Sequence, residues 1–154
     1  MDYTLESLAR ERDELRFDGF NYDFAWRLGA LLHERAANAN LPVAITVAQG
    51  ADIIFSVLMP GATPDNLGWA ARKRAAVNRF HRSSLALRME AEASGRDFHD
   101  RYGLAKSEYV ASGGAVPIIT TSGALAAVVA VSGLPDVEDH RMIADALRTL
   151  IGRG

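Results

Sequence analysis

The chain has no cysteine in its 154 residues, which excludes disulfides, thiolate nucleophiles and cysteine-built zinc sites. It also has no long apolar run. The longest, Ala124 to Val131, is far too short to cross a bilayer. It has no excess of positive charge: 17 Lys and Arg stand against 19 Asp and Glu, a net charge of -2, which favours neither nucleic acid nor an anionic membrane as partner. The phosphate-binding signatures GxGxxG and GxxxxGK[ST] are absent, and so is a nucleophile elbow. The four histidines show no HExxH or similar spacing, so no metal site is expected. Met1 to Glu6 has no basic stretch leading into an apolar core, which argues against a signal peptide, and the expected location is cytoplasmic.

What the chain does contain is the pattern of one mixed α/β domain spanning residues 1–154. Leu5, Leu8, Arg12 and Leu15 mark a short first helix, and Leu15 to Phe20 an extended edge piece. Asn21 is placed to cap a helix ending near Asn38, with Ala25, Leu28, Gly29, Leu32 and Ala36 on one stripe. Phe24 and Leu31 lie beyond that stripe, and the extra apolar surface predicts self-association. Strands are expected over 43–47 and 53–58, turning at Gln49 to Asp52. Thr63 and Pro64 open a helix to about Phe80, a second piece runs to about Ala93, and 97–112 is mixed. Two almost wholly apolar strands, 115–121 and 124–132, form a hairpin across Ser122-Gly123, and a last helix covers about 136–151. This order predicts a mainly antiparallel sheet of about five strands with helices on both faces.

Two residues break the apolar pattern. Lys73 falls in the middle of the helix face made by Trp69, Ala70, Ala76, Val77 and Phe80. An unpaired ammonium is costly to bury, so Lys73 either snorkels past the rim of the core or points into a cavity toward an anionic ligand or a carboxylate. His140 shares the inner stripe of the last helix with Ile143, Ala144, Leu147 and Ile151. It either bonds a strand carbonyl as a neutral ring or lines a pocket beside Ser132-Gly133. The pairs Gly113-Gly114 and Ser132-Gly133 read as turns. In the functional reading, Gly113 and Gly114 expose backbone N–H groups and join Lys73, Ser84, Ser132 and His140 in one anion site. Arg72, Lys73, Arg74 and Arg79 precede Ser83-Ser84 without an intervening acid, which is either a solvated face or part of that site. His33, His81 and His99 carry weaker signals.

Three blocks resemble the GlcG/HbpS-like family, often labelled the haem-degrading domain, and its uncharacterised intracellular branch in particular. They are Gly113-Gly114-Ala115-Val116-Pro117-Ile118 through Asp139-His140; Trp69 through Ser84; and Phe98, Tyr102 and Tyr109. The resemblance runs from about Phe20 to the end. It implies a profilin-like three-layer α/β/α sandwich, a homo-oligomer, and a ligand cavity where the lysine-bearing helix meets the glycine pair and the hairpin. It also implies haem as a possible cofactor. The chain departs from the haem-binding pattern at Ala48-Gln49-Gly50-Ala51, where that branch carries an aspartate-centred turn. Three functions follow as expectations: a module binding a small anionic metabolite, a haem-binding or haem-degrading protein, and an interaction scaffold. Whether any reaction is catalysed stays open.

Overall fold

A computed structural model describes residues 2–152. The elements are α1 (Leu5–Glu14), β1 (Arg16–Phe17), α2 (Tyr22–Asn38), β2 (Ala44–Gln49), β3 (Asp52–Leu58), α3 (Pro64–Phe80), α4 (Ser84–Ser94), α5 (Phe98–Tyr102), β4 (Ala115–Thr120), β5 (Leu125–Ser132) and α6 (Asp136–Gly152). Side chains written into the sequence fix the helix starts. Thr4 and Ser7 form a reciprocal capping box on α1, and Asn21 accepts from the Phe24 amide at the start of α2. Thr63, Pro64 and Asn66 open α3, which stops at His81 in the left-handed conformation.

The sheet order is β1-β4-β5-β2-β3. All pairings are antiparallel except β1 with β4, so the short piece after α1 joins as a parallel edge. Strand alternation sends side chains to two faces. Val43, Ile45, Val47, Val116, Ile118, Val129 and Val131 pack with α2 and α6 in the main core. Ala115, Val128 and Ala130 turn the other way and meet Ala70 and Val77 of α3. The result is the expected three layers, with β4 and β5 covered on both faces, which is why those strands read as almost continuously apolar. Gly29 permits the closest approach of α2 to the sheet: a Cβ there would sit 2.5 Å from the Phe55 ring. Among the described residues, no helix is long and apolar enough to cross a membrane.

The expected apolar surplus on α2 lies elsewhere than predicted. Phe24 is buried against Phe17 and Phe20, and Leu31 packs on the core. The exposed apolar side chains there are Tyr22 and Trp26, joined by Ile53 and Leu58 of the edge strand β3.

Candidate functional site

Lys73 is turned inward by its position on α3 and is 3% exposed. Its head does not snorkel. Nζ donates to the Asp139 carboxylate at 3.1 Å and to the Val131 carbonyl at 3.2 Å. Asp139 is equally buried, near the start of α6, and reaches back to accept from the Leu134 amide at 3.0 Å. Burial pushes its carboxyl above the usual carboxylate range, against the opposing pull of Lys73 and of the Leu134 and Gly133 amides. Gly114 closes the arrangement. Its φ is +129°, and a Cβ there would lie 2.4 Å from the Val131 oxygen and 2.7 Å from Lys73 Nζ. Any side chain at this position would displace the ammonium or the strand.

The pair forms the floor of a cleft of about 290 Å³, walled by Trp69, Ser112, Ser132, Gly133, Asn66 and Asp136. Trp69 sits at its margin, 37% exposed, with the Arg72 guanidinium stacked on the ring at 4.2 Å. Asp136 is held by Arg88 at 2.5 Å and accepts the Gly113 amide at 2.9 Å. An ammonium has three hydrogens to donate, and Asp139 and Val131 take two of them.

The residues singled out in the sequence therefore divide. Lys73, Gly114 and Ser132 meet at this cleft. Gly113 stands beside it with its N–H committed to Asp136. Ser84 is fully buried and serves the backbone: its Oγ accepts from the Ala115 amide at 2.9 Å. His140 is also fully buried but faces a different cavity, beneath α1. Its Nε2 meets Glu11 Oε1 at 2.6 Å, not a strand carbonyl, and Arg148 holds the other Glu11 oxygen at 2.7 Å. Two residues in consecutive positions thus serve opposite sides of the α6 start.

Sequence reasoning did not single out Asp139 or Glu11 as partners. Asp139 was detectable as an acid in the first turn of a helix that follows Gly133-Leu134-Pro135. Glu11 was detectable too, as an acid three residues after Leu8 and four before Leu15 on the inner stripe of α1. Arg74, one of the basic run before Ser83-Ser84, turns toward the sheet. Its half-buried guanidinium bonds the Thr46 hydroxyl at 2.7 Å, burial holds it below its usual range, and no carboxylate among the described residues pairs with it.

A model of the family described as "Haem degrading protein HbpS-like" matches residues 20–148. The UPF0303 protein of Rhizobium rhizogenes is 41% identical over 152 residues, covering 99% of this chain and 93% of that protein. The UPF0303 protein of Streptomyces coelicolor is 38% identical over 149 residues, covering 97% and 94%. Among solved structures, the Ybr137w protein superposes with a TM-score of 0.89 at 26% identity, over 99% of this chain and 90% of that one. A PduOC–haem complex gives 0.72 at 17% identity, over 84% and 94%. HbpS gives 0.67 at 19% identity, over 86% and 90%; at these two identities the likeness is one of fold.

Proposed function

Since the chain belongs to the HbpS-like family, we propose that it is a small-ligand-binding domain whose site is the cleft over Lys73 and Asp139, and that its ligand is a small anionic metabolite. The observation that carries this reading is a buried ammonium at the floor of an open cleft with one hydrogen left to donate. The Ser112 and Ser132 side chains and the Trp69 ring line the same space and supply polar and apolar contacts.

Asp139 sets the condition for binding. While it is ionised, it cancels the Lys73 charge and repels an incoming anion. Its carboxyl is raised by burial, which favours protonation of Asp139 over repulsion of an anion arriving at Lys73. Anion affinity therefore rises as pH falls. Asp139→Asn, which removes the negative charge and keeps an oxygen for the Leu134 amide, tightens binding at neutral pH. Calorimetric titration with a panel of small mono- and dicarboxylates and inorganic phosphate tests this. The expected result is saturable binding that strengthens about ten-fold in Asp139→Asn and is lost in Lys73→Met. Binding untouched by both changes would remove the cleft from the function.

Haem binding is the second reading, and one structural feature besides the family description favours it. Helical spacing of about 100° per residue puts Tyr22, Trp26 and His33 within an arc of about 40° on α2. Tyr22 and Trp26 border a hollow of about 450 Å³ with Ile53 and Ile54, and His33 is exposed. The interior does not suit haem: the cavity at His140 is about 100 Å³, and Glu11 holds Nε2 of its ring. A porphyrin would therefore lie on the α2 surface, against His33. A Soret shift on haem titration that disappears in His33→Ala would support it. The same exposed aromatic face, beside the unpaired edge of β3, supports self-association into a homo-oligomer.

A further inference from the structure

The cavity beneath α1 is independent of that cleft. It holds about 100 Å³ between α1, α4, β4 and α6. Leu5, Leu8, Leu15, Ala86, Val116 and Pro117 share its wall with Arg12, Arg82 and Ser83. Set into this lining are Glu11 and His140, 5% and 0% exposed. With the Glu11 carboxylate ionised and clamped by Arg148, Nε2 of His140 is the nitrogen that donates to it. In the neutral ring Nδ1 carries the lone pair, and it has no hydrogen-bond partner among the described residues.

Buried polar atoms are nearly always satisfied, so an orphan acceptor needs an explanation. Each polar neighbour has a partner of its own. Arg12 donates to the His81 carbonyl, Arg82 pairs with Glu90, and the Ser83 hydroxyl caps α4. Tyr3 meets the imidazole ring edge-on at 4.8 Å.

We propose that this cavity binds a small, mostly apolar molecule carrying one O–H or N–H donor, of which a short-chain alcohol is the simplest case, with its donor accepted by Nδ1 of His140. Size supports this. An apolar cavity of roughly 150 Å³ takes a benzene-sized guest, so about 100 Å³ suits a chain of a few carbons. An anion is disfavoured by the Glu11 carboxylate beside it. The family match begins at residue 20, so α1 and Glu11 lie outside the matched segment. The site therefore stands apart from both the Lys73 cleft and the haem reading.

The test is an NMR titration of the full chain, labelled at the histidine nitrogens and backbone amides, with 1-propanol and, as apolar reference, xenon. Expected are saturable propanol shifts at the Leu8, Ala86 and Val116 amides, together with an upfield move of the His140 Nδ1 resonance as it accepts a hydrogen bond. Ala86→Leu, which fills the cavity and leaves the Glu11–His140 pair in place, should abolish both. His140→Phe should lower propanol affinity about ten-fold, the worth of one hydrogen bond, and leave xenon binding intact. No saturable shift, an Nδ1 resonance unmoved at propanol saturation, or equal losses of propanol and xenon in His140→Phe would each overturn the proposal. Should His140→Phe fail to fold, the Nδ1 shift of the unaltered chain and the Ala86→Leu variant decide.

Discussion

Asp139 and His140 are adjacent in the chain, and each is half of a buried pair, yet the two pairs behave differently. Lys73–Asp139 sits under an open cleft, and the Asp139 carboxylate is further bonded by backbone amides. Glu11–His140 sits in a smaller and more enclosed cavity and leaves one ring nitrogen bare. Burial dominates Asp139 and raises its carboxyl. At Glu11 burial acts in the same direction, but His140 and Arg148 outweigh it and hold the carboxyl below its usual range. What separates the two carboxylates is the number of cationic or hydrogen-bonding side chains gathered on each.

The largest expected effect tests how tightly the first pair is enclosed. Gly114→Ala places a methyl group 2.4 Å from the Val131 oxygen and 2.7 Å from Lys73 Nζ, at a φ of +129° that L-residues rarely adopt. Backbone strain and a displaced ion pair together should cost about 4 kcal/mol or more. Urea unfolding measures it, and a loss below about 1 kcal/mol would mean that the glycine is not what shapes the pair.

Next in size is Lys73→Met. The methylene stem and its apolar contacts persist, but Asp139 loses its cation. Removing one partner of a buried pair costs about 3–5 kcal/mol at neutral pH. The loss should shrink in acid, because Asp139 accepts a proton readily and is then no longer a stranded charge. A stability equal to or above that of the unaltered chain at neutral pH would show that Lys73 is a ligand-facing charge with no structural role.

Much of this architecture was legible in the sequence, for identifiable reasons. The caps at Asn21 and Thr63 and the Ser122-Gly123 turn are local signals, and local chemistry places them. The inward position of Lys73 follows from helical spacing alone. Its partner does not, because 66 residues separate it from Asp139 and only the packing of α3 and α6 across the sheet joins them. The same limit hid Glu11, 129 residues from His140 in the chain. Periodicity put His140 on the correct face of α6. It could not show that a one-residue step around the helix start, from 139 to 140, passes from one cavity to another.

The smallest effects discriminate best between the pairs, and they come from neutralising each carboxylate in turn. Glu11→Gln removes the charge that both His140 and Arg148 address, and charge-assisted bonds of that kind are worth about 1.5–3 kcal/mol at neutral pH. Asp139→Asn should cost less than Lys73→Met, because burial already opposes the ionised carboxylate and Lys73 keeps the Val131 carbonyl. The pH profiles should differ in sign. The folded-state pKa of Glu11 is depressed, so the folded chain binds fewer protons there than the unfolded one. Its contribution is present above the ordinary carboxylate range and is lost as pH falls through the folded value. The folded-state pKa of Asp139 is raised, so its contribution is greatest below the ordinary range and is lost as pH rises through the folded value. Urea unfolding of both variants and the unaltered chain, from about pH 3 to pH 8, separates these terms. The Glu11→Gln deficit should close toward acid, whereas the unaltered chain should gain stability over Asp139→Asn as pH is lowered. Parallel profiles for the two variants would mean that the pairs share one environment, and the contrast between the open cleft and the more enclosed cavity would fail.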